Sequence, residues 1–140
     1  MAQRPQRGFT LIELMVALAI VAVLVAVALP SYTSHVLHSH RSDAMATLAQ
    51  DQAIIERCYA QNYSYAADQP CTALQIPQTS PQGYYTIAFS NRDATHYTLT
   101  ATAILSQLDD TTCRTLSIDQ TNNKTAADAS GTPQSSCWNP

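Results

Sequence analysis

The chain has 140 residues, a formal net charge of −3 and only 12% Asp, Glu, Lys and Arg. That length leaves room for one modest hydrophobic core beside an apolar N-terminal segment, rather than for two domains. Beyond residue 40 there are five basic residues against nine acidic ones, which disfavours a strongly electropositive nucleic-acid-binding surface. No G-x-S-x-G or H-E-x-x-H run is present, so we expect a protein that has no catalytic residues, is not an enzyme and needs no cofactor.

The first predicted element is a membrane-spanning helix. Leu14–Leu29 contains sixteen consecutive residues without a polar side chain, and Phe9–Leu29 as a helix measures roughly 30 Å, the thickness of a bilayer's hydrocarbon core. Arg4 and Arg7 precede this run, so the positive-inside rule leaves the N-terminus cytoplasmic and the bulk of the chain across the membrane. A cleaved secretory signal is disfavoured, because the run is too long and Pro30-Ser31-Tyr32 is a poor cleavage site.

One acidic residue, Glu13, lies among apolar residues at the start of this helix. A charge at the centre of a membrane helix costs roughly 2.5 to 3.5 kcal/mol, whereas a carboxylate in the first turn of a helix is favoured by the helix dipole. The residues alone therefore leave two interpretations open. One is a plain anchor, and the other is an anchor whose carboxylate has a binding partner.

The helical periodicity continues beyond Pro30, which is therefore expected to kink the helix or loosen its hydrogen bonds without ending it. An apolar stripe predicts one helix from about residue 9 to 61; its members are Leu37, Ala44, Leu48, Ile55 and Tyr59. Four charged residues lie off this stripe and are expected to face solvent, namely Arg41, Asp43, Asp51 and Glu56. The cluster of His35, His38 and His40 predicts a polar collar where the helix leaves the membrane, rather than a metal site.

The C-terminal half predicts an antiparallel sheet. Prolines and Gly83 mark a long loop over residues 61–83. Alternating β-prone segments predict three strands, with turns at residues 91–93 and 122–123 and a short fourth strand beginning at Ala126; the three are Tyr84–Ser90, Tyr97–Ile104 and Arg114–Asp119. The expected fold is α+β, a long N-terminal helix whose second half packs on a head of three or four antiparallel strands.

Four cysteines, all beyond the apolar run, indicate two disulfides in an oxidising compartment. Zinc is the alternative, but the sequence has no C-x₂-C pair. The spacing favours the pairs Cys58–Cys71 and Cys113–Cys137. Four cysteines allow three pairings, and the sequence does not exclude the other two.

The segment Gly8-Phe9-Thr10-Leu11-Ile12-Glu13, after a short leader with two arginines, resembles the processing signature of type IV pilins and pseudopilins. The resemblance implies a prepilin leader over residues 1–8, a hydrophobic half-helix over residues 9–30 and a head over residues 31–140. It also implies that a prepilin peptidase cleaves after Gly8 and methylates the new amine of Phe9. The family's acidic residue falls on Glu13 and its proline on Pro30, whereas Ala22 stands where many members have a helix-loosening glycine.

The same resemblance supplies a partner for Glu13. A buried carboxylate is tolerated when a positive group neutralises it, and the cleaved Phe9 amine, on the same or a neighbouring subunit, is such a group. The implied partners are the lipid bilayer before assembly, the inner-membrane assembly machinery and other pilins, major and minor, in a helical filament. The implied localisation is a single-pass inner-membrane precursor with a periplasmic head, and afterwards an extracellular pilus.

The head resembles the PilE-type minor pilins, a group related to the ComP DNA-uptake pilin. The resemblance is carried by Gly83–Ile87, Tyr97–Thr102, Leu116–Gln120 and Cys137-Trp138. It implies a minor pilin that takes part in type IV pilus assembly and, by implication, in twitching motility, adhesion and DNA uptake. One alternative is a pilus-borne DNA receptor with Arg92, Arg114 and Lys124 clustered on one edge of the head. A type II secretion pseudopilin is a third reading.

Overall fold

The structure, a computed structural model, describes residues 8–66 and 74–139. It contains one long helix, five strands and two short 3₁₀ helices. The elements are α1 (Leu11–Asn62), β1 (Gln78–Thr79), β2 (Tyr85–Arg92), β3 (Tyr97–Ala103), a 3₁₀ helix at Leu105–Asp109, β4 (Thr115–Asp119), β5 (Lys124–Ala127) and a second 3₁₀ helix at Ser135–Trp138. The chain divides into two compact units between His35 and Val36, and each is described by itself.

Local signals explain where α1 begins and ends. The Glu13 amide donates to Thr10 Oγ1 at 3.3 Å, so Thr10 caps the first turn. Pro30 lies inside the helix, as the unbroken periodicity predicts, and Thr33 Oγ1 donates to its carbonyl at 2.9 Å. Tyr63 follows the last turn with φ 54°, and its amide donates to the Tyr59 carbonyl at 2.7 Å. A residue in this left-handed conformation ends many helices.

The five strands form one antiparallel sheet in the order β1-β2-β3-β4-β5. The predicted α+β class is confirmed. The sheet has five strands, one more than the three or four that the sequence predicts. The extra strand, β1, lies inside the segment predicted to be a loop, because a strand of two residues is too short to show alternation. A register shift between Phe89 and Asn91 extends β2 to Arg92, so the turn lies over Asp93–His96 rather than over residues 91–93.

The inner face of the sheet and one face of α1 make the core of the second unit. Alternate residues of β2, β3 and β4 are fully or almost fully buried, namely Tyr85, Ile87, Tyr97, Leu99, Ala101, Leu116 and Ile118. Three members of the predicted helical stripe pack in the same cluster, Ala44, Leu48 and Ile55. The register places Leu99 opposite Ile118 and Ile87 opposite Ala101, so cross-strand apolar pairs hold the sheet together.

The expectation that the charged residues of α1 face solvent is wrong. Arg41, Asp43 and Asp51 are buried, because each finds a partner on the head that hydropathy periodicity does not reveal. Arg41 donates twice to Asp110, Nε to Oδ2 at 2.6 Å and Nη2 to Oδ1 at 2.9 Å. Asp43 Oδ2 accepts from the Gln82 amide at 3.2 Å, and Asp51 Oδ2 accepts from Gln78 Nε2 at 2.7 Å. Such pairing is what makes a buried charge tolerable.

Glu56 is half-buried rather than free in solvent. Its carboxylate accepts hydrogen bonds from the hydroxyls of Tyr65 and Tyr97, at 2.9 Å each. Burial and the Glu56 carboxylate raise the pKa of Tyr65 to about 12 and also raise the pKa of Tyr97. Both phenols therefore keep their protons at physiological pH. Through its bond from Tyr97, the Glu56 carboxylate joins the end of α1 to β3.

A disulfide joins Cys113 to Cys137, with a Cα–Cα distance of 5.6 Å, and both residues are buried. This predicted pair is confirmed. It ties the start of β4 to the second 3₁₀ helix. Cys58 is not a free thiol; its predicted partner, Cys71, lies outside the described residues, so the pair Cys58–Cys71 stays a prediction.

Candidate functional site

The first candidate site is the apolar half-helix, Leu11–Leu29. Every described residue from Gly8 to His35 is exposed, including large side chains such as Leu18 at 61% and Val27 at 74%. Among the described residues, α1 is the helix that is long and apolar enough to cross a membrane. A contiguous apolar surface of this size requires lipid or protein to cover it.

The N-terminal end of this half-helix carries the residues of the processing signature. Gly8 and Phe9 precede α1, and a Cβ built on Gly8 meets no atom within 4 Å, so packing against the described residues does not require glycine there. Phe9 is 86% exposed. Glu13 lies in the first turn of the helix, four residues beyond Phe9 in the sequence.

The second candidate site is the end of the sheet that holds Arg92 and Lys124. The strand register pairs Arg92 with Tyr97, Thr98 with Asp119, and Ile118 with Lys124. These pairings bring Arg92 and Lys124 to the same end of the sheet, on β2 and β5. Arg114 precedes β4, whose first residue Thr115 pairs with Thr102 and Ala127, so Arg114 lies at the opposite end. The structure therefore places two of the three predicted basic residues at the same end of the sheet, on strands that β3 and β4 separate.

The two arginines of the predicted set are already engaged within the head. Arg92 Nε and Nη2 donate to the carbonyls of Tyr65 and Ala66, and its guanidinium lies 4.6 Å from the centroid of Phe89. Arg114 Nη2 donates to the Leu108 carbonyl at 2.8 Å. None of these contacts is to a carboxylate, so the groups that hold the two arginines do not neutralise their charges.

Lys124 is the exposed cation of the group. Its ammonium lies 5.3 Å from the centroid of the Trp138 ring, within the range of a cation–π contact. The indole is fixed in turn, because Trp138 Nε1 donates to the Thr125 carbonyl at 2.8 Å. A lysine beside a rigid aromatic ring is a combination that suits contact with a phosphate and a base.

Two carboxylates share this end of the sheet. Backbone amides of Thr95 and His96 lower the pKa of Asp93. Burial acts to raise the pKa of Asp119, but hydrogen bonds from Thr121 and Asn123 outweigh it and leave that pKa lowered. Both groups are therefore ionised at neutral pH, and they interrupt the positive potential of Arg92 and Lys124.

The histidines make structural contacts. His40 Nδ1 lies 2.9 Å from Gln107 Oε1, and its ring stacks on Tyr84 with centroids 3.5 Å apart. His38 Nδ1 lies 3.3 Å from Arg41 Nη1, while His35 is exposed. Within residues 8–66 and 74–139, no group of three His, Cys, Asp or Glu side chains is arranged to hold a metal ion.

Sequence reasoning missed the importance of Gln107 and Asp110. Gln107 is fully buried, and its Nε2 lies 3.2 Å from the Leu37 carbonyl and 3.0 Å from the Tyr85 hydroxyl. Asp110 accepts from Arg41 and from the Cys113 amide. An isolated polar residue between two predicted strands carries no local sign of such burial, so no sequence pattern indicates this junction.

Comparison with known proteins finds two family models that match this chain. A family model described as "Type IV minor pilin ComP, DNA uptake sequence receptor" matches residues 30–117. A second model, the prokaryotic N-terminal methylation motif, matches residues 3–29. A solved structure, the non-core minor pilin PilV of Neisseria meningitidis, has a TM-score of 0.55 and 21% identity and covers 69% of this chain and 91% of that one. At that identity the likeness concerns the fold alone.

Curated relatives are fimbrial proteins. The chain is 34% identical over 74 residues to fimbrial protein EcpC of Eikenella corrodens, covering 53% of this chain and 48% of the relative. It is 43% identical over 53 residues to the type IV major fimbrial protein FimA of Dichelobacter nodosus, and the match covers 38% of this chain and 34% of FimA. It is 31% identical over 80 residues to the type IV major pilin protein PilE1 of Neisseria gonorrhoeae, and the match covers 57% of this chain and 48% of PilE1. The matched segments thus span about half the length of these relatives or less.

Proposed function

The chain belongs to the family of type IV minor pilins described as ComP, and from that premise we propose that it is a minor structural subunit taking part in type IV pilus assembly. The observation that carries the proposal is the apolar half-helix, whose large side chains are exposed while the head has its own complete core. Such a surface suits two successive environments, a bilayer before assembly and a bundle of like helices in the filament.

The first step of this function is processing. Prepilin peptidase cleaves between Gly8 and Phe9 and methylates the new amine of Phe9. Supporting this step are the match of the methylation motif to residues 3–29 and the open space around Gly8. Because the described residues leave open space at Gly8, recognition of this residue in the active site of the peptidase is a reason for glycine there.

The second step is docking through Glu13. In the low dielectric of a membrane or a filament core, an unpaired carboxylate is costly, and a cationic partner offsets that cost. The methylated Phe9 amine of an incoming subunit is a suitable partner for the Glu13 of a subunit already in place. Because the described residues from Leu14 to His40 contain no Lys or Arg, this half-helix offers no basic side chain of its own for that role.

Two measurements test this function. Intact-mass analysis of the membrane-extracted protein should give a chain that begins at Phe9 and carries one added methyl group. Sheared, purified pili should contain the same chain at a low ratio to the major pilin. A chain that keeps Met1–Gly8 in cells with an active peptidase, or one that is absent from pili, contradicts the proposal. Recovery of the processed chain with the secretion machinery instead of pili supports the type II pseudopilin alternative.

A second function, DNA binding by the pilus-borne head, is favoured by one observation. The matched family model, which is described as a DNA uptake sequence receptor, covers residues 30–117 and so most of the head. The Lys124–Trp138 contact supplies a cation beside an aromatic ring, and Arg92 adds a second charge at the same end. The carboxylates of Asp93 and Asp119 oppose a strong electrostatic attraction of DNA to this end of the sheet. We therefore expect a modest affinity for DNA that depends strongly on salt.

Gel-shift titration of the detergent-solubilised full chain, over a series of salt concentrations, tests DNA binding. Lys124→Gln should weaken binding uniformly across sequences and reduce the salt slope by about one. Arg57→Gln is the matched control, because Arg57 is also exposed but lies on α1. Absence of a shift at low salt, or equal losses for both variants, removes DNA binding at this site and leaves the pilus-subunit proposal standing.

A further inference from the structure

Thr10 lies at the point where non-helical backbone becomes helix α1. Residues 8–10 are outside the helix, which begins at Leu11. The Leu14 amide donates to the Thr10 carbonyl at 3.2 Å, and the Glu13 amide donates to Thr10 Oγ1 at 3.3 Å. An N-cap residue is the one whose carbonyl accepts the first helical hydrogen bond and whose side-chain oxygen accepts from a first-turn amide. Thr10 satisfies both conditions, so it is the N-cap of α1.

The sequence around Thr10 supports the same start of the helix. Residues 10–13 read Thr-Leu-Ile-Glu, the spacing of a capping box, in which a threonine N-cap is followed three residues later by glutamate. Of this box, the structure forms the bond from the Glu13 amide to the Thr10 side-chain oxygen. Phe9 before the cap and Leu14 after it have the spacing of a hydrophobic staple, which fixes the direction in which the chain enters a helix. Local sequence therefore specifies where α1 begins.

Gly8 also acts against helix formation, on the N-terminal side of Phe9. Glycine is the poorest helix former after proline, because ordering its backbone costs the most conformational entropy. A Cβ built on Gly8 meets no atom within 4 Å, so packing against the described residues gives no reason for glycine. The peptide between Gly8 and Phe9, where we propose cleavage, thus lies between a residue that disfavours helix and a residue that caps one.

The Thr10 hydroxyl competes with backbone carbonyls for the first-turn amides. In a helix extended towards the N-terminus, the Glu13 amide would donate to the Phe9 carbonyl and the Ile12 amide to the Gly8 carbonyl. Thr10 Oγ1 takes the first of these amides instead. The competition is strong at the edge of a membrane, because an amide without an acceptor is costly where water is excluded. Loss of the Thr10 oxygen therefore favours extension of α1 through the Gly8–Phe9 peptide.

We propose that Thr10 is a positioning residue for prepilin processing, because its cap keeps the Gly8–Phe9 peptide in non-helical backbone. This inference rests on the proposed function, since it requires cleavage at that peptide. In the hydrolysis, water attacks the Gly8 carbonyl carbon, the bond to the Phe9 nitrogen breaks, and a proton from the water converts that nitrogen into the new amine. Negative charge develops on the Gly8 carbonyl oxygen during the attack and needs donors from the peptidase. In an extended helix this oxygen would already accept from the Ile12 amide, so the capped start leaves it accessible.

Cleavage of the full-length precursor in membranes, followed by intact-mass analysis, tests the proposal. Thr10→Val removes the cap oxygen but keeps the branched shape, and it should slow cleavage about fivefold, the effect expected for the loss of one N-cap. Thr10→Ser and Thr10→Asn keep a cap oxygen and should be cleaved at a rate within about twofold of wild type. The matched control is Thr33→Val, which removes a hydroxyl of the same helix that donates to the Pro30 carbonyl, and it should not change the rate.

The outcomes separate this inference from the function on which it rests. A wild-type chain that active peptidase does not cut after Gly8 overturns both. Normal cleavage of wild type, with Thr10→Val cut at the same rate, overturns only the role of Thr10. Equal losses for Thr10→Val and Thr10→Ser also overturn that role, because a serine hydroxyl caps a helix as threonine does.

Backbone conformation measured without the peptidase separates positioning from direct contact with the enzyme. Isotope-labelled precursor from cells that lack the peptidase is studied by NMR in detergent micelles. The Cα chemical shift of Phe9 should be non-helical in wild type and in Thr10→Ser, and it should move towards the helical value in Thr10→Val. An unchanged Phe9 shift in Thr10→Val overturns the proposal, even where cleavage of that variant is slower.

Discussion

The two parts of helix α1 reverse the usual distribution of polar and apolar residues. Before residue 36 the helix exposes large apolar side chains, such as Val27 at 74%. Beyond it, the helix buries charged ones, and Arg41 and Asp51 are only 7% and 3% exposed. Both parts are regular helix, so secondary structure does not explain the difference.

The difference lies in where each part finds its partners. Arg41, Asp43 and Asp51 are matched by groups on the chain's own head. The apolar half-helix has no such complement within its own unit, where every described residue is exposed. The comparison teaches that the head stabilises one part of α1, whereas lipid or other subunits must stabilise the other.

The largest expected effect comes from breaking the buried ion pair. Arg41→Ala should lower the free energy of unfolding of the full chain in detergent by about 3 to 5 kcal/mol, because it leaves the Asp110 carboxylate buried without its cation. Denaturant unfolding followed by circular dichroism measures this. The control is Arg57→Ala, which removes an exposed arginine from the same helix and should change stability by less than about 0.5 kcal/mol.

Replacing the pair together sharpens this result. Arg41→Met with Asp110→Asn should be less destabilised than Arg41→Ala alone, since no uncompensated charge remains in the core and the side-chain amide oxygen at position 110 can still accept from the Cys113 amide. If the double variant loses as much as the sum of the two single variants, then the pair is not a coupled unit. The head would in that case hold the second part of α1 by apolar packing alone.

The next effect concerns the disulfide. Cys113→Ser and Cys137→Ser should each lower the free energy of unfolding by roughly 3.5 kcal/mol on the chain-entropy model. The double variant should be no worse than either, because the two residues act as one unit. Unfolding measured with and without reductant provides the comparison. Peptide mapping that joined Cys58 to Cys113 would overturn the pairing.

The smallest effect concerns Asp51. Burial raises its pKa above the ordinary 3.8, and the hydrogen bond from Gln78 only partly opposes this. A raised folded-state pKa contributes stability that is fully present below pH 3.8 and is lost as the pH rises through the folded-state value. Asp51→Asn should therefore remove that part of the pH profile and increase stability at pH 7 by up to about 1 kcal/mol.

The expected signature of Asp51 is a difference between two pH profiles. Asp93, Asp119 and Asp128 have lowered pKa values, so their contributions run in the opposite direction and appear in wild type and variant alike. Subtracting the Asp51→Asn profile from the wild-type profile isolates the one group. A stability gain of the wild type over the variant as pH rises above 4 would contradict the assignment.

Periodicity predicted the parts of the fold that local patterns specify. The helix, the apolar stripe through Ala44, Leu48 and Ile55, and the alternation of β2, β3 and β4 follow from side-chain spacing. The burial of Arg41 does not follow from side-chain spacing, because its partner Asp110 lies 69 residues away in the sequence. A hydropathy pattern assigns every charge to solvent, and only tertiary contacts overrule it.

The candidate sites divide in the same way. Gly8, Phe9 and Glu13 belong to one six-residue motif, so their assignment needs no tertiary contact, and their roles stay a prediction. Arg92, Arg114 and Lys124 were chosen by residue type alone, and their grouping depended on strand register. That register places Arg114 at the other end of the sheet. The Lys124–Trp138 contact joins β5 to the second 3₁₀ helix; it spans fourteen positions of the sequence and has no local signature.

The role of Glu13 is tested by the amount of Glu13→Val subunit in purified pili. We expect normal membrane insertion and normal cleavage after Gly8, seen as a mature mass beginning at Phe9, because valine favours insertion by about 2.5 to 3.5 kcal/mol. We expect near absence of the variant from sheared pili, since the incoming Phe9 amine meets no carboxylate in a low-dielectric site. Glu13→Asp should give an intermediate amount, because the shorter side chain keeps the charge but withdraws it by one methylene. Wild-type amounts of Glu13→Val in pili would contradict the central claim that this carboxylate is the docking group.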